Sequence, residues 1–354
     1  MDQFALEDWK YIHLRTIMLC PEIMARSQIM SSTKSSSINK LKSFIKANTS
    51  EFSIFLLLIV LIVVGTLVSP YFLEKHNLNG ISVKFSYYGV AAAGSMMVMI
   101  LGGIDISQMC VLGVSVMLCG VMDRAGFSAV VIILLCLLYG FAAGSINGVL
   151  VAKLKVMPMI ATIGTSFAWR SVAYLISPTP ISIGNKVFKT IGYDKFLGIP
   201  ILLWIFIVVL ALIGFVSSLT PFGRKVHVAG SNASTSYLSG INVVLTKMIA
   251  YMISGCTAAL AGIIWGAQLS SAYPDAGVGY DLLPIASCVI GGVSLEGGKG
   301  SLIGVLLGVL VMVVLQNIMT LLSVGQYYQL LCQGIVLILS LVIRGVVNKR
   351  NLRA

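Results

Sequence analysis

PFGRKVHVAGSNASTSYLSGIN, residues Pro221 to Asn242, is the longest polar passage between the first apolar run of the chain and its C-terminus. Before it stands ILLWIFIVVLALIGFVS, Ile201 to Ser217, and after it the apolar run from Ile249 to Leu269. A polar loop strung between two runs of that length is one that a membrane protein presents to water. Within it, Asn232 or Ser231 is placed to cap the segment Ala233 to Ser239, and Gly240 supplies a left-handed stop. The result is about two turns of helix, roughly 10 Å. A helix so short is unstable alone in water and needs a surface to dock on. The loop therefore points to a partner protein, the alternative being an ordinary solvated connection with a stray helical turn.

The rest of the composition agrees with a membrane setting. The chain is 58% hydrophobic and 10% charged, with a mean hydropathy of +0.97, where soluble domains carry roughly 25% charged residues. Its formal net charge of +12 does not imply nucleic acid, because the bases fall in short clusters between apolar runs with no basic face and no aromatic platform. Cys110, Cys119, Cys136, Cys256, Cys288 and Cys332 all sit in apolar runs, Cys20 lies in the N-terminal tail, and no CxxC pair occurs. Disulfides and metal sites are not expected, and the thiols read as small hydrophobes.

Counting runs long enough to cross a bilayer gives about ten, near 52–69, 86–102, 107–122, 128–150, 157–176, 199–218, 248–269, 281–294, 301–322 and 328–344. The eighth is short and interrupted by Pro284. The expected fold is all-α, a polytopic transmembrane bundle over 52–345 with a cytoplasmic loop at 221–247 and tails at 1–51 and 346–354. The first tail has no apolar core followed by a cleavage site, so it is not a secretory signal. Met30 opens its patch SSTKSSSINK and is expected to be the natural start.

With both ends in the cytoplasm, the inner segments hold 17 of the 24 Lys and Arg. Beyond the seven in the N-terminal tail these are Lys153, Lys155, Arg224, Lys225, Lys247, Lys299, Arg344, Lys349, Arg350 and Arg353. The outer side holds Lys75, Lys84, Arg124, Lys186, Lys189 and Lys195. That asymmetry is the positive-inside pattern. Gly140, Gly144 and Gly148 share one face of the fourth run, and Gly300, Gly304 and Gly308 do so at the start of the ninth. Both triplets suit close helix seams. Lying five spans apart, they would run in opposite directions, as an inverted repeat of five plus five spans requires; chance in glycine-rich helices is the alternative.

Few residues could carry chemistry. Asp105, in LGGIDISQMC, lies between two apolar runs that as one helix would be far too long for a hydrocarbon core of about 30 Å. The chain must break near Gly102 and Gly103, which leaves Asp105 as a cap for the next helix or a polar group in a pathway. Trp169 and Arg170 lie inside the fifth run, and Arg170 should face the bundle interior or a watery cavity. Asn147, Thr162, Thr165 and Ser166 would add amide and hydroxyl groups there, a combination suited to a neutral, hydroxyl-rich solute, unless each merely bonds a neighbouring helix. Gly291 to Gly300, GGVSLEGGKG, fails as a phosphate loop, because Val293 and Gly300 stand where Gly and Ser or Thr are needed. No triad or cofactor motif accompanies the three His, so any nucleotide hydrolysis belongs to another chain.

GGIDIS at Gly102 to Ser107, the loop from Phe222 to Asn242, and VIGGVSLEGGKGSLIG from Val289 to Gly304 together resemble the membrane permeases of bacterial ABC importers of the ribose, xylose and autoinducer-2 type. The resemblance covers about residues 52 to 345. It implies a multi-pass inner-membrane permease with a second permease copy, a cytoplasmic ATPase of two fused nucleotide-binding halves, and a periplasmic sugar-binding protein. It also implies that Asn232, Ala233, Ser234, Thr235, Ser236, Tyr237, Leu238, Ser239 and Gly240 form the coupling element that docks on the ATPase. Two departures stand out. Ile106-Ser107-Gln108-Met109-Cys110 replaces the usual Leu-Ser-Val-Gly-Ser, which bears on the substrate. Ala233 replaces a usual Glu, which bears on the ATPase partner. A monosaccharide is the expected cargo. Nucleosides are the rival within the family, and an ion-coupled carrier using Asp105 is the rival outside it.

Overall fold

The computed structural model describes residues 49–351, and from Ser53 onward the chain forms one compact unit. The first tail, the expected start at Met30 and the last three residues fall outside the described residues. The elements in order are helices α1 (Thr49–Val68), α2 (Lys75–Ile100), α3 (Gln108–Arg124), α4 (Ala129–Gly148) with a π turn Val149–Lys153, and α5 (Pro158–Ile176). Then come strand β1 (Ile181–Ser182), α6 (Lys186–Tyr193), β2 (Lys195–Phe196), β3 (Ile199–Pro200) and α7 (Ile201–Gly214) with a π turn Phe215–Leu219. The chain continues through α8 (Pro221–Ser231), α9 (Ala233–Leu238), α10 (Val243–Leu269), β4 (Ser271–Ala272), α11 (Leu283–Ile290), α12 (Leu302–Leu321) and α13 (Gln326–Asn351).

A helix stands over each of the ten expected runs, and among the described residues six stretches are long and apolar enough to cross a membrane: Glu51–Val68, Lys75–Ile100, Ala129–Lys153, Ile201–Leu219, Val243–Leu269 and Leu302–Leu321. Gln326–Val342 is a shorter apolar helix. The eighth run carries only α11, eight residues, because Pro284 sits in its first turn and the chain before it is extended or turning. α2 begins at Lys75, well before the expected 86. Its polar first turns are held by packing: the amides of Asn77 and Asn317 pair reciprocally between α2 and α12, at 3.0 and 2.6 Å.

α2 and α10 form the buried centre, with α3, α4 and α12 packed around them. α1, α4, α5, α7 and α13 turn Leu67, Leu134, Leu138, Leu175, Val208, Leu212 and Ile338 outward, each more than half exposed. A soluble protein would not leave so continuous an apolar surface in water, and acyl chains are its natural solvent. Among the described residues the only sheets are two short antiparallel pairs, β1 with β4 (Ile181 opposite Ala272) and β2 with β3 (Lys195 opposite Pro200).

The glycine faces make the seams close. A Cβ on Gly140 would come within 2.5 Å of the Gly255 carbonyl of α10, and one on Gly144 within 2.8 Å of Met252 Cα. Gly304 and Gly308 face α11 instead, against the carbonyls of Gly291 and Ser287, while Gly300 precedes the helix and packs on Ile100. The two triplets thus serve unlike neighbours and do not by themselves mark equivalent positions of a repeat.

Candidate functional site

α2 ends at Ile100, Gly102 takes a φ of +72°, and the chain crosses Gly103 to Ser107 before α3 begins. This break carries Asp105 into the packed interior, where it is 3% exposed. Its Oδ1 accepts hydrogen bonds from Ser107 N at 3.1 Å and Ser107 Oγ at 2.7 Å, and its Oδ2 accepts one from Ser254 Oγ at 2.6 Å. A chain of donors converges on the carboxylate from both sides. On one side Thr165 Oγ1 donates to Asn147 Oδ1 (2.8 Å) and Asn147 Nδ2 donates to Ser107 Oγ (2.8 Å). On the other, Ser95 Oγ donates to Gln108 Oε1 (2.5 Å) and Gln108 Nε2 donates to Ser254 Oγ (2.7 Å). Thr162 closes the cluster by donating to the carbonyl of Ile104 at 3.2 Å. Every partner in this cluster is in reach, so Asp105, Ser107, Gln108, Asn147, Thr165, Ser95 and Ser254 satisfy one another across α2, α3, α4, α5 and α10, as burial demands.

Arg170 lies apart from this chain. Its Nη1 donates to the carbonyls of Ala276 (2.9 Å) and Pro274 (3.3 Å), and Nη2 stands 3.6 Å from Asp281 Oδ1. The guanidinium therefore pins the segment after β4 against α5. Asp275, in the same segment, accepts a hydrogen bond from Tyr174. Trp169 packs edge-on against Tyr139 at 5.4 Å.

At one end of the bundle, α9 has both of its termini closed. Asn232 Oδ1 accepts from Ser234 N and Thr235 N, both at 3.1 Å, and from Ser234 Oγ at 2.8 Å. After Leu238, Gly240 (φ +77°) and Ile241 return their amides to the carbonyls of Tyr237 and Ser236, both at 3.0 Å. This is a Schellman stop. Ser236 is buried and Tyr237 and Leu238 are 75% and 85% exposed, so the helix is clamped from beneath and shows an apolar outer surface. α8, read from sequence as loop, is a helix too: Pro221 takes its first position and Thr220 Oγ1 accepts from Gly223 N at 3.3 Å. Its last turn meets the other two glycine motifs. Gly298 N donates to Ile100 O at 2.7 Å, His227 Nδ1 lies 3.2 Å from Gly298 O, and a Cβ on Gly230 would overlap the Ile100 carbonyl.

At the opposite end lies a recess of about 200 Å³. Tyr87 and Tyr88 of α2, Trp265 of α10, Tyr280 from the turn before α11, and Gln316 of α12 line it, with Lys84 at its margin. The indole stands 4.6 Å from the Tyr87 ring, 5.9 Å from Tyr88 and 6.3 Å from Tyr280, and its Nε1 donates to Tyr273 OH at 2.7 Å.

Residues 77–341 match the family described as the permease component of the branched-chain amino acid transport system. The chain belongs to this permease family. It is 36% identical over 309 residues to the ribose import permease protein RbsC of Haemophilus influenzae, covering 83% of this chain and 96% of that one. It is 36% identical to the ribose import permease protein RbsC of Bacillus subtilis, over 82% of this chain and 91% of that one. To the L-arabinose transport system permease protein AraH of Escherichia coli K12 the identity is 31%, over 82% and 89%. No solved structure matches. The permease is a multi-pass membrane transport subunit, as its apolar helices and its relatives agree.

Of the expected pathway residues, the permease brings Asp105, Asn147, Thr162 and Thr165 together and leaves Trp169 and Arg170 outside their network. Asp105 does more than close a turn: it accepts the Ser107 amide, but its second oxygen ties α10 into the break. Ser95 and Ser254 carry no signal in the sequence, and Gln108 stands out there only as a departure from the related motif, because isolated hydroxyls and amides barely lower the hydropathy of a run. The aromatic recess went unread because Tyr and Trp count as apolar; the pair Tyr87-Tyr88 beside Lys84 was the available signal.

Proposed function

We propose that this permease is the membrane-spanning subunit of an ATP-driven importer that carries a monosaccharide, pentose or hexose, into the cytoplasm. The permeases it is similar to are named for ribose and L-arabinose. The observation that carries the ATP-driven part is α9: a helix of six residues, capped at both ends, that holds Leu238 85% exposed at one end of the bundle. An apolar side chain presented so rigidly is an anchor for a partner surface. The partner is a cytoplasmic ATPase with two fused nucleotide-binding halves, and closure of that ATPase on nucleotide pushes α9. A periplasmic sugar-binding protein delivers the cargo to the far end, and a second permease copy completes the pathway.

The push has a short route inward. α9 follows directly on Ser231, whose neighbour Gly230 lies against the Ile100 carbonyl, and five residues further on the same strand of chain is Asp105. Displacing α8 thus displaces the break between α2 and α3, and alternating access follows from moving that break. Both termini lie on the cytoplasmic side with α9, in keeping with the charge asymmetry of the loops. Coupling to an ion gradient has less support, because Asp105, the carboxylate such a mechanism would use, already accepts three hydrogen bonds from the protein.

Leu238→Asp places a charge in the docking contact without touching the packed side of α9. The ATPase is expected to be lost on co-purification while the permease elutes as a folded species. Unchanged co-purification of the ATPase would rule out α9 as its anchor.

A further inference from the structure

We propose that the recess formed by Tyr87, Tyr88, Trp265, Tyr280 and Gln316 is a sugar-binding subsite through which the cargo enters the permease. This rests on the proposed importer function and assigns that function a place and a chemistry.

α10 starts just after α9, and Trp265 lies 22 residues into it, so the indole is roughly 33 Å away along the helix axis. α2 ends beside Gly298 and α12 starts shortly after it; Tyr88, midway along α2, and Gln316, in the far part of α12, are roughly 18 and 21 Å along those helices from that junction and so also lie away from α9. The recess is therefore at the end of the bundle opposite the coupling helix, the side on which a periplasmic binding protein releases its load.

A volume of about 200 Å³ holds some six or seven waters at about 30 Å³ each, the room one sugar ring requires. Its lining is aromatic, with hydroxyl and amide groups among the rings, so the C–H bonds of a pyranose or furanose meet apolar ring atoms while its hydroxyls meet polar groups. Gln316 gives the independent sign of a ligand. It is 3% exposed and its Nε2 has no hydrogen-bond partner in the protein. A buried amide N–H₂ left unpaired is costly and calls for an acceptor, which a sugar hydroxyl supplies.

The lining also separates cargo classes within the family. No carboxylate lines the recess, and the two in the adjoining segment are engaged, Asp281 with Arg170 and Asp275 with Tyr174. The ammonium group of a branched-chain amino acid would find no counter-charge here, and the margin instead carries the like charge of Lys84. A neutral polyol meets no such penalty.

The test uses the complete complex of permease, ATPase and binding protein in proteoliposomes, with radiolabelled D-ribose and L-arabinose as probes. Gln316→Leu replaces the carboxamide, whose Nε2 has no partner in the protein, by apolar groups of similar volume, so its melting temperature should equal or exceed the wild type. Its maximal uptake rate is expected to fall about tenfold, the worth of one hydrogen bond made in the limiting complex, with ATPase docking unchanged. Trp265→Phe, checked for folding in the same way, should lower uptake similarly by narrowing the stacking surface. Uptake by a folded Gln316→Leu complex within twofold of wild type would overturn the subsite while leaving the importer function standing. A wild-type complex that accumulates leucine or a nucleoside and neither pentose would overturn both.

Discussion

Asp105 is the residue on which the interior polar groups depend. The donor directions run toward it from Thr165 on one side and from Ser95 on the other, and each intermediate hydroxyl or amide both accepts and donates once along the way. An asparagine at this position offers N–H₂ where a hydroxyl already donates, so one arm of the chain must reverse or break. Asp105→Asn is expected to cost about 1–3 kcal/mol of stability, read from chemical unfolding in detergent, and to leave residual uptake indifferent to a proton gradient. Unfolding at the wild-type midpoint, or uptake that collapses with the gradient at constant ATP, would contradict this account. Sequence alone singles out Asp105, Asn147 and Thr165, since charge and amide inside apolar runs are costly wherever they lie. It marks Gln108 only as a departure, standing where the related motif has Val, and gives no sign that its amide fills the gap between Ser95 and Ser254.

At the scale of elements, the decisive feature is the meeting of α8, the end of α2 and the loop before α12. Gly297 and Gly298 adopt φ of +92° and +77°, and Gly230 leaves no room for a side chain against Ile100 O. Three glycine-bearing motifs far apart in sequence are thereby one contact in space. Gly230→Ala must push α8 off the end of α2, an overpacking of about 1–3 kcal/mol. The altered complex is expected to keep its ATPase, because α9 is intact, yet move less sugar per ATP hydrolysed. Equal transport per ATP would show that this junction does not transmit the push. The cap, stop and extent of α9 were legible from Asn232 and Gly240. α8 was not, because hydropathy reports apolar periodicity and this helix is mixed in character, with Gly223 and Gly230 inside it. The cap Thr220 and the proline at its first position were the only cues.

For the whole molecule, hydropathy and charge locate the apolar helices, while the way they pack lies beyond any single-sequence pattern. α4 packs on α10 and α12 packs on α2, which is the exchange expected if the fourth and ninth expected spans, and the second and seventh, correspond in an inverted repeat. The glycine triplets that first suggested a repeat face different partners, so the support comes from helix pairing rather than from glycine spacing. Such a bundle offers two ends to two machines: a clamped α9 at one and an aromatic recess at the other. Radiolabelled uptake into proteoliposomes holding the permease, its ATPase and its binding protein, with and without ATP inside, joins these ends in one measurement. Accumulation of a pentose or hexose only when ATP is present is the result expected here; accumulation without ATP under an ion gradient would contradict it.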